Sequence, residues 1–163
     1  MVSQEAIDQE WLHQSEAESE SREAFMAARY IELAALPEEE RRTRLRAMAR
    51  AEYSLPDEKL RPFTLSRLRT WLSLEPDKAQ VIADSYDAVM QEMPAPVAMR
   101  RVALVQTLAT EFSPEDEERL RQLAPRVFAG TPSRMTVLER PEPEPLAVAT
   151  RTKKPWWAFW RSS

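Results

Sequence analysis

The sequence predicts an all-α fold: an irregular bundle of about six short helices joined by proline turns, followed by a disordered C-terminal tail. Three observations lead there. The chain of 163 residues has a single glycine, whereas the tight turns of sheet-rich folds draw on glycine for positive φ. Pro37, Pro56, Pro76, the Pro94/Pro96 pair and Pro114 recur every 18–20 residues. Between them the apolar residues repeat at helical spacing.

The proline sites read as helix starts. Four of them open alike: Pro37-Glu38-Glu39-Glu40, Pro56-Asp57-Glu58-Lys59, Pro76-Asp77-Lys78 and Pro114-Glu115-Asp116-Glu117. Proline suits the first helical position, where its missing N–H has no partner to lose. Acids in the first turn complement the positive end of the helix dipole. Ser113 adds a side-chain cap before Pro114.

Taken in order, residues 1–21 form an acidic extension, partly ordered or helical, with Trp11 as its one strong anchor. A helix over 22–36 carries Phe25, Ala28, Ile31 and Ala35. The next presents Leu45, Met48, Ala49 and Tyr53. Pro62 breaks the following segment, so its helix starts near Phe63 and presents Leu65, Leu68, Trp71 and Leu72. Ile82, Tyr86, Val89, Met90 and Met93 mark the next stripe. Residues 97–112 are apolar on most sides, which predicts the central helix. Leu120, Leu123, Ala124, Val127 and Phe128 form the last stripe, with Pro125 placed to bend or end its helix. The 19-residue spacing also suits stacked helical hairpins. The segments share no pattern beyond their openings, which favours the irregular bundle.

Gly130 marks the boundary, as a left-handed cap before Thr131-Pro132-Ser133. The helical domain is therefore 22–130. A Pro/Glu-rich tether over 131–155 contains Pro141-Glu142-Pro143-Glu144-Pro145 and cannot build a core. Its expected root-mean-square reach is about 25–30 Å.

Composition excludes several kinds of chemistry. The chain has no cysteine, so disulfides, thiolate metal sites and thiol catalysis are excluded. One glycine cannot build a phosphate-cradling loop. The single histidine, His13, stands in Glu10-x-x-His13, half of a carboxylate-bridged di-iron pattern that needs a second such pair. Asp84 and Asp87 fall on the polar side of their helix and read as solvated acids. The sequence thus predicts a non-enzymatic protein with no cofactor and no metal site.

Charge is unevenly spread. Residues 1–40 carry eleven acids and two bases, while 41–71 carry nine bases and three acids. The two segments are expected to face each other within the fold. The alternative is an exposed basic surface for an anionic partner. Arg41, Arg42, Arg44 and Arg46 are its candidate patch, and a helical regulator using 41–69 on nucleic acid is the competing functional reading. Within it, residues 41–50, which hold the candidate patch, have no interleaved aromatics for base stacking, which disfavours nucleic acid.

The last stretch, 156–163, reads as an anchor. Three of the five tryptophans fall in Lys153-Lys154-Pro155-Trp156-Trp157-Ala158-Phe159-Trp160-Arg161. Indole suits the membrane–water interface, and the flanking Lys153, Lys154 and Arg161 suit anionic headgroups. Clustered tryptophans equally anchor in a protein groove, either a partner's or the chain's own. No stretch is long and apolar enough to span a bilayer, and Met1 to Glu40 lacks the apolar region of a secretory signal. The expectation is a cytoplasmic adaptor or regulatory protein, peripheral at the inner membrane face or docked on a protein partner through Trp156, Trp157, Phe159 and Trp160.

Overall fold

The structure, a computed structural model, describes residues 3–135. Seven α-helices and no strand occur among the described residues. They are α1 (Gln4–His13), α2 (Ser19–Ala34), α3 (Glu38–Tyr53), α4 (Asp57–Ser73), α5 (Pro76–Gln91), α6 (Ala95–Ala109) and α7 (Pro114–Leu123), with a 3₁₀ turn at Gln14–Glu16. The architecture is an all-α bundle, one helix richer than expected. The extra helix is α1, and the expected division between residues 21 and 22 falls inside α2.

The proline openings set the helix starts, with a shift in register. Pro76 and Pro114 take the first helical position, but Pro37, Pro56 and Pro94 are N-caps, with ψ of 148°, 158° and 143°. Proline's fixed φ suits that extended cap, and its carbonyl still accepts the first helical hydrogen bond, from Arg41, Leu60 and Ala98 respectively. The Ser113 hydroxyl accepts from the Asp116 N–H at 3.1 Å, as the sequence suggests.

Pro62 does not break its segment; α4 runs through it. It sits in the second turn, so the bond it forgoes is the one to the Glu58 carbonyl. Leu60 and Phe63 on either side are fully buried, and that packing holds the helix together across the gap. Pro62→Ala should therefore raise stability by about 1–2 kcal/mol. The regained helical bond outweighs the smaller unfolded-state entropy that proline removes, and a urea melt reads the gain.

The most extensive contacts join alternate helices: α1 with α3, α2 with α4 and α3 with α5. The centre is α4 and α5, and the stripes expected on α3, α5 and α7 do face the core. Two other faces are not where hydropathy puts them. On α2, Ala28, Ile31 and Ala35 are exposed, and the buried stripe is Arg22, Met26, Tyr30 and Leu33. On α6 only Arg101, Val105, Leu108 and Ala109 are buried, and Met99 is 71% exposed. The most apolar helix lies at the periphery, because α2 and α3 already cover most of α4 and α5 and leave α6 a single face to cover. Met99 thus stands apart from Met90, which is buried, and Met93, which packs against the core.

An edge-to-face run of aromatics crosses the core. Trp11 meets Phe63 at 5.5 Å and Tyr30 at 5.7 Å between ring centroids. Tyr30 meets Trp71 at 6.3 Å, and Trp71 meets Tyr86 at 5.4 Å. Buried Arg22 fastens the turn after α1. Its guanidinium donates to the carbonyls of Gln14 (2.8 Å), Ala17 (2.7 Å) and Pro62 (3.2 Å). The α7 helix ends at Leu123, ahead of Pro125, and the chain turns through Val127 and Phe128, both buried, to Gly130. Gly130 has φ of 80°, the one positive φ among the described residues.

Candidate functional site

The expected anchor residues Lys153, Lys154, Trp156, Trp157, Phe159, Trp160 and Arg161 lie outside the described residues, as does the tether from 136 onward. The candidate basic patch lies within them, along α3, and each of its arginines is engaged. Arg41 donates to the Ser85 hydroxyl and the Leu36 carbonyl, both at 2.8 Å. Arg42 pairs with Glu38 at 2.6 Å and Arg44 with Glu40 at 2.7 Å, each one turn back. Arg46 reaches Glu92, just past the end of α5, with two nitrogens, at 2.7 and 3.0 Å. Beyond the patch, Lys59 pairs with Glu16 and Arg69 faces Glu23 at 4.0 Å. The acidic and basic segments meet, as charge balance suggests.

His13 is exposed, and Glu10 pairs with Arg29 at 2.9 Å instead of turning toward it. No cluster of three or more metal-ligating side chains occurs among the described residues. Asp84 is exposed and accepts from Gln80 at 2.7 Å. Asp87 departs from the solvated role expected of it. It is half-buried, accepts from Arg101 at 2.9 Å and faces Arg126 at 3.7 Å.

Sequence reasoning misses the polar centre of the core. Arg67 on α4 is 0% exposed and Glu52 on α3 is 1% exposed. The Arg67 Nε lies 3.4 Å from Glu52 Oε1, and the Tyr86 hydroxyl donates to Glu52 Oε2 at 2.6 Å. The guanidinium lies 4.4 Å from the Tyr86 ring centroid and 5.2 Å from that of Trp71. Its nitrogens make no hydrogen bond of ordinary geometry within the protein, so aromatic faces and one carboxylate supply its stabilisation. Arg101 approaches the Tyr86 ring at 5.3 Å and carries the network to Asp87.

Burial pushes the Glu52 carboxyl above its ordinary pKa, against the pull of Arg67 and the Tyr86 hydroxyl. Burial also lifts Tyr30, Tyr53 and Tyr86, which stay neutral phenols. It works against the charge on Arg67, and Tyr86 with Glu52 more than offsets it, so Arg67 stays a cation. The sequence carries one signal of this centre. Arg67 stands four residues from both Phe63 and Trp71, and Glu52 stands three from Ala49, so each occupies a stripe position.

Next to this centre lies a surface groove between α5, α6 and the turn after α7. One part, about 140 Å³, is floored by Met90, Ala98, Val102 and Val127. A second, about 270 Å³, continues along Asp84, Ala88, Leu123 and Pro125. Asp87, Gln91 and Arg126 border both parts. The groove is apolar below and charged at its rim, a form that receives a ligand or a side chain rather than assembling reactive groups. The buried centre links α3, α4 and α5, while the groove faces outward with Arg101 and Asp87 between the two. The chain matches no family model, no curated protein and no solved structure.

Proposed function

We propose that this chain is a non-enzymatic adaptor or regulatory protein that docks on an anionic membrane surface through its Trp156–Trp160 segment. The observation that carries the reading is the sequence Lys153-Lys154-Pro155-Trp156-Trp157-Ala158-Phe159-Trp160-Arg161. Indole rings partition to the interface, and each flanking cation adds about 1 kcal/mol of attraction to an anionic surface. Among the described residues only Ile31 and Met99 are large apolar side chains left exposed, so most of the chain's contact chemistry lies in that segment. No described helix is long and apolar enough to cross a membrane, which suits a peripheral attachment. In this reading the protein works in the cytoplasm, at the inner membrane face.

The ion pairs of Arg42, Arg44 and Arg46 favour this reading over a nucleic-acid regulator. They leave 41–69 with less free positive charge than its sequence promises. The test is co-sedimentation with vesicles containing phosphatidylserine, comparing the full chain with one ending at Arg151. The full chain should pellet and the shortened one should stay in solution, with pelleting weakened at high salt. Equal behaviour of the two removes the membrane from the reading. Capture of a protein by the full chain alone, from lysate cleared of membranes, would then point to protein docking.

A further inference from the structure

The composition of α6 does not match its position. It has no acid along its length and leaves Met99 and Ala103 exposed, with Ala98 and Val102 half-buried beside them, while Val97 and Leu104 pack against the core. Helices at a protein periphery ordinarily turn a polar face outward. Beside this face runs the groove over Met90, Ala98, Val102 and Val127. An apolar helix face continuous with an apolar groove is a surface built to be covered.

What can cover it follows from where the described chain ends. Arg134 donates to the carbonyls of Ala109 and Phe112, and the Ser133 hydroxyl donates to Glu118 at 2.6 Å. These bonds bring the chain to the C-terminal end of α6. From Ala109 back to Val102 is seven residues, or about 10 Å along the helix. Twenty residues, 136–155, separate the last described residue from Trp156, and they span up to about 70 Å when fully extended. The seat is well within range of the tryptophans. Tethering also presents them at an effective concentration of order millimolar.

We infer that the outer face of α6 and its groove seat the Trp156–Trp160 segment of the same chain when no membrane is present. The indoles cover Met99 and Val102 and enter the groove over Ala98, while Asp87 at the border of both parts and the exposed Asp84 in the second are the acids available to the basic flanks. The inference rests on Trp156–Trp160 being the docking element and adds its regulation. Seat and membrane compete for one set of tryptophans, so whatever weakens the seat raises the fraction ready to bind lipid.

The experiment uses the full chain and two readouts. Trp11 and Trp71 are buried and give a constant background, so acrylamide quenching of tryptophan emission reports on the remaining three. Met99→Gln, and Met99→Gln with Val102→Gln, remove apolar contact without adding charge. Met99 is exposed enough that its substitution leaves the fold intact, which a thermal melt by circular dichroism checks. Ile31→Gln on α2 serves as the control. Quenching should rise in both α6 variants and not in the control, and binding to phosphatidylserine vesicles should tighten by about three- to tenfold as the seated fraction falls. Equal quenching in the wild type and both α6 variants overturns the seat. Quenching that rises as expected, with no vesicle binding by any form, leaves the seat standing and overturns the membrane reading alone.

Discussion

Replacing Arg67 with methionine should cost the protein about 3–5 kcal/mol of stability, while replacing Arg67 and Glu52 together, by methionine and leucine, should recover most of that loss. The reasoning follows the geometry. With Arg67 gone, the Glu52 carboxylate sits 1% exposed with one strong donor, the Tyr86 hydroxyl. A buried charge stripped of its counter-charge is far costlier than a pair of apolar side chains in the same volume. Urea denaturation of the wild type, both single variants and the double variant completes the cycle. A loss below about 1 kcal/mol for Arg67→Met, or a double variant as unstable as the two singles summed, would contradict this account.

The same cycle has a pH signature. Burial holds the Glu52 pKa above 4.5. As pH falls through that raised value, the folded protein takes up the proton before the unfolded chain does, and the Glu52 contribution to stability grows. The double variant lacks the group. The wild type should therefore gain on it as pH is lowered from neutrality toward 4.5.

Trp11→Ala is the second large expected effect, again about 3–5 kcal/mol, the range for emptying a buried aromatic site. Trp11 is 2% exposed and carries α1 into the core by its contacts with Phe63, Tyr30 and Phe25. Among the described side chains of α1, no other is buried to that degree. The loss should therefore be accompanied by local release. Amide exchange across residues 4–16 should accelerate by orders of magnitude more than in α4 and α5, and Trp11→Phe should restore part of the protection. Uniform acceleration along the chain would mean that α1 is an equal member of the core rather than an element pinned by one residue.

What the sequence disclosed and what it concealed divide along a physical line. Helix starts at Pro37, Pro56, Pro76, Pro94 and Pro114 were legible, because capping and dipole chemistry act within one turn and need no partner. The stripes on α3, α5 and α7 were legible for the same reason: their apolar residues follow the helical period and face the core. On α2 the hydropathy of Ala28 and Ile31 pointed outward, since the buried face begins with Arg22, and no hydropathy rule spends a buried position on arginine. Glu52 and Arg67 were hidden likewise; each charge is tolerable only because the other arrives from a different helix. The position of α6 was hidden because composition shows how apolar a helix is, not how many neighbours remain to cover it. Of the candidate site, the sequence displayed Trp156, Trp157 and Trp160 plainly, whereas the groove beside Val102 and Met90 exists only after α5, α6 and the Val127 turn have come together.

The aromatic run from Trp11 through Tyr30 and Trp71 to Tyr86 has an optical consequence. Indole and phenol rings held edge to face at 5.4–6.3 Å couple their electronic transitions, and a rigid chiral arrangement of coupled chromophores gives strong near-ultraviolet circular dichroism. The four rings come from α1, α2, α4 and α5 in turn. One spectral band therefore reports the mutual placement of four helices, and releasing α1 alone should remove a defined part of it while the far-ultraviolet helical signal barely changes.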